Sequence, residues 1–349
     1  MDKVKASFGA ETSSPYPCTL PPDTSRPKTA VVFMFPGQGA QYTGMGKELY
    51  ETSQAASHVF DMAEKMRPGT KELCFSGSQE ELAKTKNTQP CLYCVELAAA
   101  AALKEAGIEA NILAGFSLGE LTALAFSGAV SYEDGFRLVC KRAEYMQKAA
   151  ESMNSVMVAV LKLPDETVIE LCAGFENVYP VNFNCPGQIV AACGVDEHEH
   201  FKAAVKEAGG KVMQLKTGGG FHSPFMAGAA SDFAEELTKY EIGLPAIPIY
   251  SNYSAKPYEG NIRELLTKQI CNPVLWEATV RRMISVGAET FIEVGPGKTL
   301  CGLLSRISGE VRLLNVEDSG SLGKTLTELG ALECGVWSVE SGVEGVRWN

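Results

Sequence analysis

Short apolar runs alternate with amphipathic stretches along most of the chain. Residues 30–35 (AVVFMF) and 111–116 (NILAGF) are apolar runs of strand length, and a glycine-containing turn and a helical pattern follow each of them. Further apolar runs lie near residues 248–252, 290–294 and 312–316. Such alternation of strand and helix is typical of a mostly parallel sheet with helices on both faces. We therefore predict an α/β fold for the larger part of the chain.

Capping signals predict the limits of two long helices. Thr88 with Pro90 predicts the start of a helix over the alanine-rich segment, and Gly107 predicts its end. Ser131, with Asp134 three residues later, predicts the N-terminus of a further helix.

The pattern changes between about residues 155 and 217. Strands are predicted over 156–163, 178–184, 188–193 and 211–216, and helices over 164–175 and 196–208. This βαββαβ order is that of a ferredoxin-like unit, which we expect to be inserted in the larger sheet domain.

These patterns divide the chain into four parts. We expect a leader over 1–29, which is rich in Pro, Ser and Thr and has no apolar run. A large, discontinuous domain is expected over 30–153 and 219–320, with the ferredoxin-like subdomain over 154–218. A C-terminal helix and tail are expected over 321–349.

Composition places the chain among ordinary globular proteins. Its 349 residues are 45% hydrophobic and 21% charged, as expected of a protein with about two domains. Lys and Arg number 31 against 42 Asp and Glu, for a formal net charge of −11. Since such a chain has no bulk attraction for nucleic acid, we expect no such partner, and an anionic ligand must meet a local cation.

Neither a membrane partner nor a disulfide framework is expected. The apolar segment 91–103 contains Glu96 and is shorter than the roughly 20 residues that span a bilayer. Eleven cysteines without framework spacing predict reduced thiols and a cytoplasmic protein. The one CxxC pair, Cys91 and Cys94, lies on one face of a predicted helix. Core packing is favoured there over metal or redox chemistry, because no second pair completes a zinc set.

Residues 115–119 have the pattern G-x-S-x-G between a predicted strand and a predicted helix. Glycines on both sides of Ser117 allow a sharp turn that exposes the hydroxyl. Free amides at the helix N-terminus would face an anionic intermediate on this serine. We interpret Ser117 as a nucleophile in an α/β-hydrolase-like sheet domain. The alternative, a glycine-flanked turn with no catalytic role, is less favoured.

A nucleophilic serine needs a base, and the chain has four histidines. His58 lies in an amphipathic helix, while His198 and His200 lie in an acidic segment typical of a solvated face. His222 lies in the glycine-rich loop 218–224, which can present an imidazole to a neighbouring site. An isolated loop histidine more often has no catalytic role. Because the chain also has a candidate nucleophile and no better base, His222 is the best candidate for the base.

Two glycine-rich segments resemble nucleotide-binding motifs, but each lacks a glycine that its motif requires. The segment 35–40 follows a predicted strand but has Tyr42 where the dinucleotide fingerprint needs glycine. The segment 297–299 (GKT) has Ile292 where a phosphate loop needs glycine. We therefore expect neither a nucleotide cofactor nor a metal or other bound organic cofactor.

Seven motifs together resemble those of malonyl-CoA:acyl carrier protein transacylases and of the acyltransferase domains of fatty-acid and polyketide synthases. They run in family order over about residues 30–318: FPGQGAQ (35–41), GFSLGE (115–120), KRAEYMQ (141–147), VNFNCPGQ (181–188), GGFHSP (219–224), QICNPVLW (269–276) and EVGPGKTL (293–300). The set is highly specific, although no single motif is.

The resemblance implies ping-pong transfer of malonyl from malonyl-CoA to the phosphopantetheine thiol of acyl carrier protein. Ser117 would be the nucleophile and His222 the base. The backbone amides of Gln38 and Leu118 would form the oxyanion hole. The main-chain carbonyl of Gln269 would orient the histidine in place of a carboxylate. The resemblance also implies a monomer.

The resemblance assigns substrate recognition to two further residues. Arg142 would hold the malonyl carboxylate through a bidentate contact, although its helix face alone favours a surface position. Phe221 resembles the bulky residue of malonyl-selective domains, and packing of the loop is an almost equally good interpretation. Phe116 stands where many relatives have histidine, so any polar support from that position is absent.

Two other functions remain open from the sequence. A serine esterase or thioesterase would use the same serine and histidine with water as acceptor, usually with an Asp or Glu between them in chain order. A catalytically inactive docking module for the carrier is the second alternative. Carriers are acidic, so docking needs a basic patch, for which the candidates are Lys141, Lys202, Lys206, Lys211 and Lys216.

Overall fold

Two β-sheets organise the chain in the computed structural model, which describes residues 30–215 and 218–331. One sheet contains β1 (Ala30–Phe35), β2 (Ile112–Gly115), β7 (Ile249–Tyr250), β8 (Ala288–Val294) and β9 (Arg312–Val316). The other contains β3 (Ser155–Leu161), β4 (Val178–Cys185), β5 (Gln188–Gly194) and β6 (Lys211–Gln214). The first sheet is parallel, in the order β7-β2-β1-β8-β9, and the second is antiparallel, in the order β4-β5-β3-β6.

Helices cover both faces of the parallel sheet and one face of the antiparallel sheet. In the described part of the chain they are α1 (Lys47–Thr52), α2 (Gln54–Met66), α3 (Thr70–Ser76), α4 (Gln79–Ala83), α5 (Thr85–Glu105), α6 (Gly119–Phe126), α7 (Tyr132–Ser152), α8 (Asp165–Ala173), α9 (Val195–Glu207), α10 (Ala227–Leu237), α11 (Ile262–Cys271), α12 (Trp276–Ser285), α13 (Thr299–Ile307) and α14 (Ser319–Glu328). A short 3₁₀ helix, Pro224–Met226, precedes α10.

Strand β1 lies at the centre of the parallel sheet and is buried on both faces. Because side chains alternate along a strand, Val32 and Met34 pack in one hydrophobic cluster and Phe33 and Phe35 in another. The first cluster includes Trp276 of α12, and the second includes much of α5 and α7. Two buried faces confirm the predicted α/β class with helices on both sides of a parallel sheet.

The antiparallel sheet is the predicted ferredoxin-like unit. Its elements follow the order β3-α8-β4-β5-α9-β6, and its two central strands are the third and first of the unit. Helices α8 and α9 pack on the sheet through Cys172, Phe201 and Val205. The last strand ends at Gln214, two residues before the predicted end, and residues 216 and 217 lie outside the described residues.

Two predicted limits were wrong. Helix α5 begins at Thr85, and Pro90 lies inside it. Thr88 is not its cap, because its hydroxyl donates backwards to the Lys84 carbonyl at 3.1 Å. Strand β7 has two residues where five were predicted, because the chain turns after Tyr250 and the Ser251 amide bonds the Lys256 carbonyl at 2.9 Å.

Two predicted helix ends were confirmed. Gly107 lies just beyond α5 with a φ of 80°, and its amide donates to the Lys104 carbonyl at 3.0 Å, as in a glycine C-cap. Ser131 caps α7, and its hydroxyl accepts the Asp134 amide at 3.0 Å.

The CxxC pair lies in the core of the large unit. Cys91 and Cys94 are buried on α5, and the Cys74 thiol donates to the Cys91 carbonyl at 3.9 Å. Among the described residues, no three His, Cys, Asp or Glu side chains group as metal ligands would. In the same part of the chain, no helix combines the length and the apolar character that crossing a membrane requires.

Candidate active site

A cleft lies between the two sheets, where β1 and β2 end. The carboxyl edge of a parallel sheet is where ligands bind in open α/β folds. The parallel-sheet side contributes Gln38, Ser117, Leu118 and His222, and the antiparallel sheet contributes Met157, Ala159, Asn182 and Val190. The cleft therefore brings together the large unit and the ferredoxin-like unit around the candidate nucleophile.

Ser117 lies in a tight turn between β2 and α6, with a φ of 55°. A side chain at Gly115 would place a Cβ atom 1.9 Å from the Gly119 carbonyl carbon, and one at Gly119 would lie 2.2 Å from the Phe35 oxygen. Neither approach is sterically possible, so both glycines are required by the turn. The strained serine presents its hydroxyl towards the cleft, as a nucleophile elbow does.

His222 is brought next to Ser117 by the loop that precedes the 3₁₀ helix. Its Nε2 lies 2.7 Å from Ser117 Oγ, and its Nδ1 lies 2.7 Å from the main-chain oxygen of Gln269. The carbonyl can only accept, so Nδ1 carries the proton and Nε2 is free to accept that of the serine. The group that orients the histidine of this dyad is thus a neutral carbonyl and not a carboxylate.

Burial controls the protonation of this histidine. His222 is 4% exposed, and burial, with the nearby Arg142 cation, lowers its pKa to about 4, although the Gln269 carbonyl opposes the shift. The imidazole is therefore neutral at neutral pH, which is the form that a general base needs.

Arg142 lies on α7 behind Ser117 and is 1% exposed. Its Nη1 donates to the Gln89 side-chain oxygen at 2.8 Å, and its Nη2 donates to the Gln269 side-chain oxygen at 2.8 Å and to Ser117 Oγ at 3.2 Å. Burial lowers its pKa to about 10 and nearby Glu120 opposes the shift, so the group stays cationic. The surface position favoured by the helix pattern alone was wrong.

Two residues whose backbone amides are candidates for an oxyanion hole line the cleft near the serine. Gln38 follows β1 and Leu118 follows the nucleophile, and both line the cleft. Within the described residues, neither amide donates a hydrogen bond to another backbone group. The Gln38 side chain is fixed by a 3.3 Å hydrogen bond to Thr85 Oγ1. Two unpaired donors beside a nucleophile can bind a developing oxyanion.

Two phenylalanines line the same cleft. Phe221 is 6% exposed and precedes the histidine. Phe116 precedes the serine and packs edge-on against Trp276, with ring centroids 5.5 Å apart. Phe116 thus contributes an apolar wall to the cleft.

Sequence reasoning missed a polar network beneath the nucleophile. Asn252 accepts from the Ser117 amide at 2.6 Å and donates to the Gly115 carbonyl at 2.6 Å. Glu120 accepts from the Gln269 side-chain nitrogen at 2.7 Å and from the hydroxyl of Tyr258. Their only sequence signals were the polar end of a predicted strand at Asn252 and the place of Glu120 in the GFSLGE motif.

The lysines expected to form a basic patch lie on different elements. Lys202 and Lys206 lie on α9, and Lys211 begins β6. Lys141 lies on α7 and pairs with Glu144 at 2.8 Å, while Lys202 pairs with Glu199 at 3.1 Å. Lys216 lies outside the described residues. Lys206 and Lys211 form no ion pair with other described residues.

A serine in hydrogen-bond contact with a histidine, at the carboxyl edge of a parallel sheet, is the arrangement of enzymes that work through an acyl-serine intermediate. The family described as "Acyl transferase domain" matches residues 32–326, and the chain belongs to this family. The resemblance seen in the seven motifs is thereby confirmed.

Curated relatives match over nearly their whole length. Malonyl CoA-acyl carrier protein transacylase of Bacillus subtilis (strain 168) is 38% identical over 296 residues, which cover 82% of this chain and 93% of the relative. The protein of the same name from Escherichia coli (strain K12) is 36% identical over 287 residues, covering 80% and 93%.

Solved structures share the fold. Malonyl CoA-acyl carrier protein transacylase from Clostridium perfringens superposes with a TM-score of 0.84 at 38% identity, covering 88% of this chain and 99% of that one. A malonyl-transacylase solved in complex with its type II PKS acyl-carrier protein has a TM-score of 0.83 at 32% identity, covering 86% and 100%.

Proposed function

We propose that this protein transfers a malonyl group from malonyl-CoA to the phosphopantetheine thiol of acyl carrier protein, through a malonyl ester on Ser117. The observation that carries the proposal is the 2.7 Å contact between Ser117 Oγ and His222 Nε2, beside a buried guanidinium 3.2 Å from the same oxygen. The names of the relatives from Bacillus subtilis and Escherichia coli support the same activity.

The first half-reaction loads the serine. His222 Nε2 takes the hydroxyl proton of Ser117 while Oγ attacks the thioester carbonyl carbon of malonyl-CoA. The amides of Gln38 and Leu118 bind the oxyanion of the tetrahedral intermediate. The carbon–sulfur bond then breaks, and the CoA sulfur takes the proton from Nε2. The Gln269 carbonyl accepts from Nδ1 throughout and stabilises the transient imidazolium.

The second half-reaction unloads the serine. The thiol of the carrier gives its proton to His222 Nε2, and its sulfur attacks the ester carbonyl. The bond between this carbon and Ser117 Oγ breaks, and Oγ recovers the proton from Nε2. Both halves use one base and one oxyanion site, because each exchanges a thiol and the Ser117 oxygen at the same malonyl carbonyl carbon.

Arg142 selects for a carboxylate on the acyl group in this proposal. A malonyl carboxylate that leaves water for the cleft needs a charged partner. The guanidinium now donates to the neutral oxygens of Gln89 and Gln269. A carboxylate is a stronger acceptor than an amide oxygen, so the substrate can displace these contacts and bind through two parallel hydrogen bonds.

Phe221 restricts the space beside the malonyl α-carbon in this proposal. Its ring is largely buried and lines the cleft next to His222. An α-methyl group on the substrate would compete with the ring for this space. A pocket of this kind discriminates a single methyl group by about 1–3 kcal/mol.

The proposed cellular setting is cytoplasmic. The nine cysteines in the described part of the chain are all unpaired, which supports a reducing, cytoplasmic compartment. The malonyl-carrier product supplies extender units for fatty-acid or polyketide synthesis. The exposed Lys206 and Lys211 are our candidates for contact with the acidic carrier.

The experiment that tests the function is a product analysis. The protein is mixed with malonyl-CoA, with and without the phosphopantetheine-bearing carrier, and the products are separated by liquid chromatography and mass spectrometry. We expect malonyl-carrier as the main product, and little free malonate when the carrier is absent. Equal release of malonate with and without carrier would identify a hydrolase, and no consumption of malonyl-CoA would identify an inactive docking module.

A further inference from the structure

Glu120 is a fully buried carboxylate beneath the nucleophile, and none of the steps above uses it. Its Oε2 accepts from Gln269 Nε2 at 2.7 Å and from the backbone amide of Asn252 at 3.2 Å. Its Oε1 accepts from the hydroxyl of Tyr258. A buried glutamate with three donors, all from segments more than a hundred residues away in sequence, joins distant parts of the fold at this point.

The side chain of Gln269 lies between Glu120 and the catalytic groups. Its Nε2 also donates to the Ser117 carbonyl at 2.7 Å, and its Oε1 accepts from Arg142 at 2.8 Å. A guanidinium only donates and a carbonyl only accepts, so the amide has one orientation that satisfies its neighbours. The main-chain oxygen of the same residue holds His222. Gln269 thus contacts the proposed base His222, the nucleophile Ser117 and the guanidinium of Arg142, which would bind the substrate.

The amide also keeps two buried charges apart. The guanidinium of Arg142 and the carboxylate of Glu120 each bind Gln269 and do not form an ion pair with each other. A direct pair would occupy the donors of Arg142 with a competing carboxylate. With the Gln269 amide between them, the carboxylate of Glu120 stabilises the Arg142 cation without a direct contact. The guanidinium N–H groups of Arg142 then donate to neutral amide oxygens, which are weaker acceptors than a carboxylate.

We propose that Glu120 is a positioning residue for acyl transfer, holding the side-chain amide of Gln269 so that Arg142 and His222 stay aligned with Ser117. The inference rests on the proposed function and assigns a role to a residue outside the catalytic dyad. To position Gln269, residue 120 must place a hydrogen-bond acceptor where Oε2 lies. Its negative charge matters less than this acceptor.

The protonation behaviour of Glu120 agrees with this requirement. Burial raises its pKa to about 7, while the bonds from Tyr258, Gln269 and Asn252 and the nearby Arg142 oppose the shift. A proton on Oε1 leaves both Oε2 bonds intact, because the Tyr258 oxygen can accept as well as donate. The neutral acid therefore holds Gln269 as the anion does.

Two substitutions separate side-chain length from charge. Glu120→Gln keeps the length, places a carbonyl oxygen at Oε2 and can donate its NH₂ group to Tyr258. Glu120→Asp keeps the charge but withdraws the carboxylate by one methylene from Gln269. We expect E120Q to retain kcat/KM for malonyl-CoA within about threefold, and E120D to lose about tenfold or more, as for a lost buried hydrogen bond.

A double-mutant cycle tests whether the effect passes through Gln269. Gln269→Met removes the amide and keeps the main-chain oxygen that binds His222. We expect E120D to cost about tenfold in the wild-type background and less than about twofold in the Q269M background. The first half-reaction is followed as the rate of malonyl ester formation on Ser117, with melting temperature measured for every variant.

The matched control is Glu236→Asp, which shortens another buried glutamate that accepts hydrogen bonds from tyrosines, on α10 and outside the cleft lining. We expect E236D to leave ester formation unchanged. Equal losses in E120D and E236D, or additive losses in the cycle, would overturn the proposal. Should E120D not fold, a tenfold loss in E120Q would overturn it alone. A wild type that forms no ester refutes the proposed function instead.

Discussion

At the scale of single residues, the proposed mechanism activates a serine without a carboxylate on the histidine. The Nδ1 partner of His222 is the Gln269 carbonyl at 2.7 Å. A carboxylate would raise the basicity of the imidazole, whereas here burial and a nearby cation lower its pKa to about 4. In the second half-reaction the thiol acceptor needs only a weak base, since thiols are far more acidic than alcohols.

The lowered pKa of His222 predicts an unusual pH profile. In the proposed mechanism His222 acts as a base only when neutral, and its pKa of about 4 keeps it neutral above that pH. The rate of Ser117 malonylation should therefore change little from neutral pH down to about 5, and fall about tenfold per pH unit below its pKa. Rapid-quench mass spectrometry measures this rate, with circular dichroism confirming the fold at each pH. A decline centred near the ordinary histidine pKa of about 6.5 would contradict the account.

Removal of the guanidinium should alter substrate choice. Arg142→Ala should lower the rate of Ser117 acylation by malonyl-CoA about 10²-fold, because a buried carboxylate loses its charged partner. Acylation by acetyl-CoA, which has no carboxylate, should be unchanged or faster. Lys141→Ala, which removes the neighbouring, half-buried cation, is the control and should alter neither rate. Equal losses for the two donors would refute the assigned role of Arg142.

The ring of Phe221 gives a second test of selectivity. Phe221→Ser opens space beside the dyad, so kcat/KM for methylmalonyl-CoA should rise about tenfold relative to that for malonyl-CoA. Competition between the two donors in one reaction measures the ratio directly. A variant that retains malonyl transfer and shows no change in this ratio would leave Phe221 with a packing role only.

At the scale of elements, the strand–turn–helix around Ser117 was predictable and the helix before it was less so. The G-x-S-x-G pattern predicts this turn because the backbones of Gly115 and Gly119 lie too close together to leave room for a side chain at Gly115. Pro90 is a poor guide, because α5 is almost wholly buried and its packing outweighs the one hydrogen bond that a proline removes. A local sequence pattern predicts an element well where contacts within that segment determine its conformation, as in the turn, and less well where tertiary packing does, as in α5.

The turn predicts a contrast between two glycines. Gly119→Ala places a Cβ atom 2.2 Å from the Phe35 oxygen, whereas Gly302→Ala on α13 meets nothing within 4 Å. We expect G119A to destabilise the fold by about 1–3 kcal/mol and to reduce malonylation of Ser117 strongly. G302A should be neutral or slightly stabilising, as alanine is in a helix. Urea unfolding and ester formation measure both effects, and equal behaviour of the two variants would contradict the steric account.

At the scale of the whole molecule, the site joins segments that are far apart in sequence. Ser117 and His222 are 105 positions apart, and Asn252 meets the Ser117 amide across 135 positions. The two dyad residues could be found because a motif and a glycine-rich loop mark them. The partners Gln89, Asn252 and Glu120 could not, since their roles exist only through long-range hydrogen bonds.

Docking of the carrier is also a property of the whole surface. In a chain of net charge −11, the exposed Lys206 and Lys211 can offer local attraction to an acidic partner. The double variant K206E/K211E should raise KM for the carrier about tenfold at low salt and less at high salt, with ester formation on Ser117 unchanged.

The control for docking is Lys104→Glu, at the other end of α5, about 30 Å from its cleft end because a 21-residue helix rises about 1.5 Å per residue. K104E should leave the KM for the carrier unchanged. K104E changes the net charge by half as much as K206E/K211E does. If the logarithm of this KM shifts in the same proportion, net charge alone governs the encounter and the α9–β6 surface has no special part in it.

The most direct test of the account is peptide mapping of the protein after brief exposure to malonyl-CoA. We predict one malonyl group on the peptide that contains Ser117, its removal when the phosphopantetheine-bearing carrier is added, and no labelling of Ser117→Ala. A malonyl group on any other residue, or a label on Ser117 that the carrier cannot remove, would contradict transfer through this serine.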